Sequence, residues 1–242
     1  MMHTGKINDR WELTLPDFRV DFHAERPLWE SSRLAAMYDQ TMHGQTIIDC
    51  GAEHGDFTAL YRQWVGDAGH VVPVEPQAIF WPCIQTTWEA NGYREIPTSF
   101  FGFVDDAGQD GAGQSNRGLH DQAWPDCGTE IIADPGFLHL VSQHAHIPCA
   151  RLDWLAAHLP AAPDHIVIDI EGAELLALQG ARTLMQTSRP TFWVSVHPPP
   201  LWEWYGATPA DIETFAYTLD YTIDVLPNLG GEGEQFYLVA PR

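Results

Sequence analysis

The fold is decided by residues 46–77, which read TIIDCGAEHGDFTALYRQWVGDAGHVVPVEPQ. The apolar run at 46–48 is typical of a strand that is buried on both faces of a parallel sheet. Gly51 and Gly55 follow in one tight turn, where glycine permits a positive φ and lets a ligand approach the main chain closely. Apolar side chains at steps of three and four residues then predict a helix: Phe57, Leu60, Tyr61 and Trp64. A second strand at 71–74 completes a predicted βαβ unit.

Glu75 stands at the end of that second strand, where a carboxylate can accept hydrogen bonds from both hydroxyls of a ribose. The turn reads Asp49-x-Gly51-x-x-x-Gly55 and lacks the G-x-G-x-x-G pattern that faces a dinucleotide pyrophosphate. Asp49 and Glu53 would repel a pyrophosphate, but they suit the ammonium and sulfonium groups of S-adenosylmethionine. The segment therefore predicts S-adenosylmethionine as the cofactor, and the alternative is an ordinary βαβ crossover with a glycine turn.

Composition bounds the class of protein. A chain of 242 residues suits one α/β domain with a full core. Its net charge of −21 disfavours nucleic acid and an anionic membrane surface as partners. The four cysteines lack the spacing of a zinc site and are expected to be free thiols: Cys50, Cys83, Cys127 and Cys149. Without an apolar leader or a membrane-length apolar run, the chain is expected to be soluble and cytoplasmic.

The chain before the glycine turn is predicted to be an N-terminal extension, residues 1–45, that packs on a main domain formed by 46–242. Residues 11–15 and 18–22 alternate apolar and polar side chains, which predicts a small hairpin. A helix is predicted over 29–42, where it completes the core or, as the alternative, covers a cofactor.

After Glu75 the pattern predicts a helix over 79–91 and a third strand over 98–104. Asp105 ends that strand, where it either accepts a hydrogen bond from an adenine amino group or is an ordinary turn residue. Residues 109–148 are predicted to form a loop-rich substrate lid. Three histidines there lack carboxylates at a matching spacing, and no metal site is predicted from them: His139, His144 and His146.

The second informative region begins with a buried strand at 166–168. Asp169 and Glu171 stand at its carboxyl end, the edge that faces the ligand crevice in an open α/β sheet. A single helix is predicted after them, with Gly180 packed closely against a neighbour. A further strand at 191–196 ends at His197, before a stiff run of three prolines.

The C-terminal part is predicted to contain a helix over 211–219, capped by Thr208, and a pair of strands at 221–226 and 235–240. Strands that alternate with helices predict an α/β fold with a mostly parallel central sheet, helices on both faces and an antiparallel C-terminal edge strand.

Several segments, in order, resemble the FkbM-type family of S-adenosylmethionine-dependent methyltransferases. The family shows a D-x-G-A-N-x-G turn, an F-E-P strand end, an L-D-x-L segment and a K-I-D-V-E-G-A-E block, followed by L-x-G-A and R-P. The matching segments of this chain are DCGAEHG at 49–55, VEP at 74–76, LDWL at 152–155, IDIEGAE at 168–174, LQGA at 178–181 and RP at 189–190. The IDIEGAE block is the most specific of these segments.

The resemblance implies a Rossmann-like class I methyltransferase domain, in a family where O-methylation of a sugar or polyketide hydroxyl is common. Two positions depart from the family pattern. Glu53 replaces the usual Asn in the turn, which changes the charge beside the methionine end of the cofactor. Ser195 occupies the place of an acid that usually precedes the histidine, so a role carried by that acid would be missing.

Roles in methyl transfer follow from charge and position. Gly51, Ala52 and Gly55 are expected to let the backbone approach the methionine portion of S-adenosylmethionine. Glu53 or Asp49 is expected to meet its ammonium group. Glu75, followed by Pro76, is expected to hold the ribose.

An alcohol acceptor needs a base or a metal ion as charge develops on its oxygen. His197 is the first candidate for the base, and the alternative is that it only stiffens the turn before the prolines. Asp169 is the second candidate for the base. Its alternative role is to position the cofactor or the acceptor hydroxyl, and Glu171 is given the same role. Glu174 is expected to make a structural hydrogen bond.

Three alternatives remain open on sequence alone. The first is a nicotinamide-dependent oxidoreductase, which the missing third glycine disfavours. The second is a metal-assisted methyltransferase that uses Asp169 and Glu171, although no metal ligand is predicted as the default. The third is a protein that binds S-adenosylmethionine but is catalytically impaired. The expected partner is a small-molecule or sugar acceptor, and a homo-oligomer is left open.

Overall fold

A computed structural model describes residues 1–106, 118–126, 147–230 and 233–242. Most of the predicted lid lies outside these ranges, and so do the three histidines within it and Cys127. The other three cysteines are free thiols, as predicted. No helix within the described ranges is long and apolar enough to cross a membrane.

Twelve strands are found in the described ranges: β1 (Met2–Ile7), β2 (Trp11–Pro16), β3 (Thr46–Cys50), β4 (His70–Val74), β5 (Ser99–Phe100), β6 (Phe103–Val104), β7 (Leu119–His120), β8 (Cys149–Ala150), β9 (His165–Ile168), β10 (Thr191–Val196), β11 (Tyr221–Leu226) and β12 (Gln235–Pro241). The helices there are α1 (Asp17–Glu25), α2 (Ser31–Gln40), α3 (Asp56–Val65), α4 (Trp81–Ala90), α5 (Leu152–Ala156), α6 (Glu174–Gln179), α7 (Arg182–Gln186), α8 (Pro198–Tyr205) and α9 (Pro209–Thr218), with a 3₁₀ turn at Ala78–Phe80.

The central sheet has eight strands in the order β11-β12-β10-β9-β3-β4-β5-β7. Strands β5, β4, β3, β9 and β10 are parallel, and all residues of β3 and β9 are buried, as their apolar sequences predict. The predicted α/β fold is confirmed. The C-terminal strand β12 is antiparallel as predicted, but it lies between β10 and β11, so that β11 forms the edge.

The order of strands changes direction between β3 and β9. From β3 the chain proceeds outward through β4 and β5, whereas β9 and β10 lie on its other side. Because parallel strands present their carboxyl ends at one edge, the residues that follow β3, β4, β9 and β10 meet there. In an open α/β sheet this crevice is where ligands bind.

The N-terminal hairpin differs from the prediction. Strand β2 pairs with β1 rather than with residues 18–22, which lie in helix α1. The apolar residues within 18–22 fit the repeat of a strand as well as that of a helix. Arg19 and His23, however, are four residues apart and are both buried against Asp56. This helical spacing, and the hydrogen bonds that β1 supplies to β2, decide the outcome.

The third predicted strand is also divided. Residues 98–104 form β5 and β6, which belong to different sheets, because Phe101 donates to the Gly118 carbonyl whereas Phe103 donates to the Pro148 carbonyl. A Cβ on Gly102, between them, would lie 2.4 Å from the Pro148 oxygen.

One prediction near the C-terminus needs correction and two are confirmed. The single helix predicted after Asp169 is two helices, α6 and α7, separated at Gly180. A Cβ on Gly180 would lie 2.1 Å from the Asp105 carbonyl oxygen, so the predicted close packing is present. The stiff run of three prolines begins helix α8, since the first turn of a helix needs no N–H donors. Thr208 and Asp211 form the capping box of α9.

Candidate active site at the carboxyl edge of the sheet

A cavity of about 610 Å³ lies at the carboxyl ends of β3, β4 and β9. This volume is in the range of small-molecule and cofactor sites. Most of the residues that the sequence predicted for the site line it: Gly51, Ala52, Glu53, Glu75, Pro76, Asp105, Asp169 and Glu171.

The glycine turn brings the ends of β3 and β9 together. Gly51 has a φ of +89°, and a Cβ on it would lie 1.9 Å from the Asp169 carbonyl oxygen. Only glycine therefore allows this approach. Gly55 (φ +78°) has another role, because a Cβ there would lie 2.8 Å from the Ile84 Cα. It packs the start of α3 against α4 and is not among the residues that line the cavity.

The two acids proposed to meet an ammonium group lie in different surroundings. Asp49 is 3% exposed and does not line the cavity. Its Oδ2 accepts a hydrogen bond of 2.6 Å from the Thr58 hydroxyl, and burial raises the pKa of Asp49 to about 6. Glu53 lines the cavity, and its Oε2 lies 3.2 Å from Nδ1 of His54. Of this pair, the structure presents Glu53 to a ligand.

Thr58→Val is expected to destabilise the protein by about 1–3 kcal/mol, because it removes the hydroxyl that satisfies the buried Asp49 carboxylate. It should also raise the pKa of Asp49 further, since the Thr58 hydrogen bond holds it down. Urea unfolding near neutral pH measures the loss. Thr58→Ser keeps the hydroxyl and should retain most of the stability; equal losses in both variants would contradict the assignment.

Glu75 is held in place by the backbone. Its Oε1 accepts from the Gln77 N–H at 2.8 Å, and its Oε2 accepts from the Glu53 N–H at 3.0 Å. The side chain is 3% exposed. Burial raises the pKa of Glu75 to about 8, although both backbone hydrogen bonds oppose the shift. Each oxygen retains acceptor capacity for a further donor.

Four carboxylates surround the imidazole of His197. Nδ1 lies 2.7 Å from Oε1 of Glu174, which is fully buried and also accepts from the Gly172 N–H at 2.8 Å. This is the structural hydrogen bond expected of Glu174. Nε2 lies 3.5 Å from Asp169, 3.6 Å from Glu234 and 3.8 Å from Glu171. Burial lowers the pKa of His197, but the carboxylates, Glu174 first, outweigh it and raise the pKa to about 11.

The backbone after β9 directs these carboxylates. Glu171 has a φ of +55°, which is uncommon for a residue with a side chain, and Gly172 follows at +109°. A Cβ on Gly172 would lie 2.8 Å from Pro200, so α8 packs directly on this turn. Asp169 and Glu171 line the cavity, whereas His197 lies behind them and is not among its lining residues.

A family model for the methyltransferase FkbM domain matches residues 49–223, well over half of the chain. The chain belongs to the FkbM methyltransferase family. The resemblance inferred from the sequence motifs is thereby confirmed. No curated protein sequence matches the chain.

Two solved structures share the fold. The FkbM methyltransferase of Methylobacillus flagellatus KT matches 80% of this chain with 19% identity and a TM-score of 0.50. The match spans 43% of that protein's length. A precorrin-6y C5,15-methyltransferase from Geobacter metallireducens GS-15 matches 88% of this chain and 89% of its own, with 10% identity and a TM-score of 0.51.

This FkbM family member has a wall of the cavity that sequence reasoning did not predict. Helix α1 and the segment after it contribute Arg19, Phe22, Arg26 and Trp29. Arg19 donates to Asp56 Oδ2 from Nε at 2.9 Å and from Nη2 at 2.6 Å, which fixes α1 beside the glycine turn. A hairpin was expected in place of α1, so no sequence signal pointed to Arg19, Phe22 or Arg26. Trp29 begins the helix predicted over 29–42, whose alternative role was to cover a cofactor.

The C-terminal part of the chain adds Trp204, Tyr205 and Glu234 to the cavity. Trp204 and Tyr205 lie in α8, and Glu234 precedes β12. The aromatic residues that follow the three prolines could have indicated Trp204 and Tyr205, whereas Glu234 has no such signal in the sequence. Ser195, where the family has an acid, is fully buried in β10. Burial raises the pKa of Asp169, and the charges of His197 and Arg33 oppose that shift.

Proposed function

We propose that this chain transfers a methyl group from S-adenosylmethionine to a hydroxyl group of a small molecule or sugar. The observation that carries the proposal is Glu75, a buried carboxylate fixed by two backbone N–H groups at the carboxyl end of β4. A ribose supplies two hydroxyl donors that would satisfy the oxygens of Glu75. The membership of the chain in a methyltransferase family supports the same cofactor.

The rest of the cavity fits that cofactor. The Gly51 turn gives main-chain access, and Glu53 presents a carboxylate to an ammonium group. Asp105 lines the same cavity, where its carboxylate can meet an adenine amino group. S-adenosylmethionine, when bound, supplies an electrophilic methyl group on a sulfonium.

The acceptor side is assigned to Asp169. Methyl transfer is an in-line displacement, so alignment of the acceptor hydroxyl and exclusion of water contribute most of the rate. Asp169 lines the cavity and can accept the hydroxyl proton. His197 holds its own proton at neutral pH in the free protein, since its pKa is raised to about 11. We therefore assign it to positioning Asp169 and Glu171, although sequence reasoning ranked it first as the base.

The aromatic walls indicate the acceptor class. Four aromatic side chains line the cavity: Phe22 and Trp29 from the N-terminal segment, and Trp204 and Tyr205 from α8. Flat aromatic faces bind the apolar faces of rings, while carboxylates such as Glu171 accept hydrogen bonds from hydroxyls. A cyclic polyhydroxylated acceptor, such as a sugar, fits this combination.

Calorimetry with S-adenosylmethionine, its demethylated product S-adenosylhomocysteine and NAD tests the cofactor. We expect saturable binding of the first two and none of NAD; tighter binding of NAD would overturn the proposal. Turnover is then measured as formation of S-adenosylhomocysteine with a panel of glycosides and aliphatic alcohols. Cofactor binding without turnover on the whole panel would instead favour the catalytically impaired alternative.

A further inference from the structure

The group around His197 combines one imidazole nitrogen with carboxylate oxygens. Ligand atoms of Asp169, Glu171 and His197 all lie within 4.8 Å of one another. A first-row divalent ion binds such atoms at about 2.0–2.2 Å, so two ligands on opposite sides of it are about 4.2 Å apart. Side-chain movements of less than about 1 Å would therefore bring the three atoms onto one ion.

The imidazole is aimed into this group. His197 is only 6% exposed, and its Nδ1 is taken by the buried carboxylate of Glu174. Nε2 faces three further carboxylates at 3.5–3.8 Å, longer than an ordinary N–H···O hydrogen bond. A carboxylate that holds the far nitrogen of a histidine is the usual support of a metal-binding imidazole.

The charges around His197 and the access from the cavity both favour a bound cation. Asp169, Glu171 and Glu234 converge on a single imidazole whose other nitrogen already contacts a fourth acid. Close like charges repel in a partly buried site, and a bound cation relieves that repulsion. The three carboxylates also line the cavity, so an ion there would keep coordination positions open toward a ligand.

We propose that Asp169, Glu171 and His197 bind a divalent cation, with Glu234 as a fourth ligand. One imidazole with several carboxylates favours Mn²⁺ or Zn²⁺ over an all-oxygen Mg²⁺ or Ca²⁺ site. The His197–Glu174 pair fixes the ring, so Glu174 is a positioning residue. In a role that rests on the proposed function, the ion would bind the acceptor hydroxyl and lower its pKa.

The site is tested by adding Mn²⁺ to chelator-treated, metal-free protein. Electron paramagnetic resonance and calorimetry measure the binding. We expect a single saturable ion per chain. His197→Asn keeps an N–H for Glu174 but removes Nε2, and it should weaken Mn²⁺ binding by about 10–100-fold. Asp169→Asn, in a half-buried position, should weaken it similarly and serves if His197→Asn does not fold.

Glu203→Gln is the matched control, because it removes an exposed carboxylate of α8 outside the site. Its Mn²⁺ affinity should equal that of the wild type. Equal Mn²⁺ affinity in all variants would show diffuse binding to an acidic surface and would overturn the proposal, as would no saturable binding. Binding of S-adenosylmethionine, measured on the same metal-free protein, distinguishes failure of the metal site from failure of the proposed function.

Discussion

Replacing Glu75 by glutamine is expected to weaken binding of S-adenosylmethionine by about 100-fold or more. Both ribose hydroxyls would donate to this carboxylate, and a hydrogen bond to a charged group contributes about 1.5–3 kcal/mol. Glutamine retains one acceptor oxygen and turns its amide N–H₂ toward the N–H of either Gln77 or Glu53, so that this N–H no longer has an acceptor there. A loss of about 3 kcal/mol corresponds to about two orders of magnitude in affinity.

The same variant should lose a pH dependence that the wild type shows. The hydroxyls bind the ionised carboxylate, and burial raises the pKa of Glu75 to about 8. Affinity for S-adenosylmethionine should therefore rise with pH up to about 8, by as much as about tenfold per unit, because binding must release the Glu75 proton. Calorimetry across this range in wild type, Glu75→Gln and the surface control Glu89→Gln measures it. Wild-type affinity in Glu75→Gln would refute the ribose-binding role.

The part of the site that sequence predicted is the part that lies at strand ends. Glu75 and Asp169 each follow a short buried strand, and parallel strands bring their carboxyl ends to one edge. Gly51 could be assigned to a close approach because few other roles require glycine directly after a buried strand. Local sequence thus contained enough information to place these residues together.

The unpredicted parts depend on contacts between distant segments. Asp49 also lies near the end of a strand, yet its carboxylate accepts a hydrogen bond from Thr58 of α3 and does not line the cavity, and that depends on how α3 packs. Residues 18–22 fit strand and helix periods equally, and the choice is made by Asp56, more than thirty positions later. Glu234 reaches His197 only because β12 inserts beside β10.

Asp56→Ala is expected to destabilise the protein by about 3–5 kcal/mol, because it leaves a buried guanidinium without its counter-ion. Asp56, Arg19 and His23 are respectively 3%, 5% and 1% exposed. Oδ2 of Asp56 lies 2.6 Å from both Nη2 of Arg19 and Nε2 of His23. Urea unfolding at neutral pH measures the loss.

Asp67→Asn provides the matched control. Asp67 also contacts an arginine at 3.0 Å, Arg62, but its side chain is fully exposed. A screened surface pair contributes only about 0–1 kcal/mol. A loss in Asp56→Ala no larger than that in Asp67→Asn would contradict the anchoring role of Asp56.

Lowering the pH should remove the contribution of Asp56 to the free energy of unfolding. Burial alone would raise the pKa of Asp56, but Arg19 and then His23 outweigh it and hold the pKa well below its usual value. The stabilisation is therefore fully present above the unfolded-state pKa of about 3.9 and is lost as pH falls toward the folded-state value. The difference in unfolding free energy between wild type and Asp56→Asn should shrink over that acidic range. Because α1 carries Phe22 and the cavity wall, the same variants should show faster tryptic cleavage after Arg19, inside α1, and weaker cofactor binding. Unchanged cleavage despite the loss of stability would mean that α1 is held by other contacts, such as the packing of Val20 against Gly5.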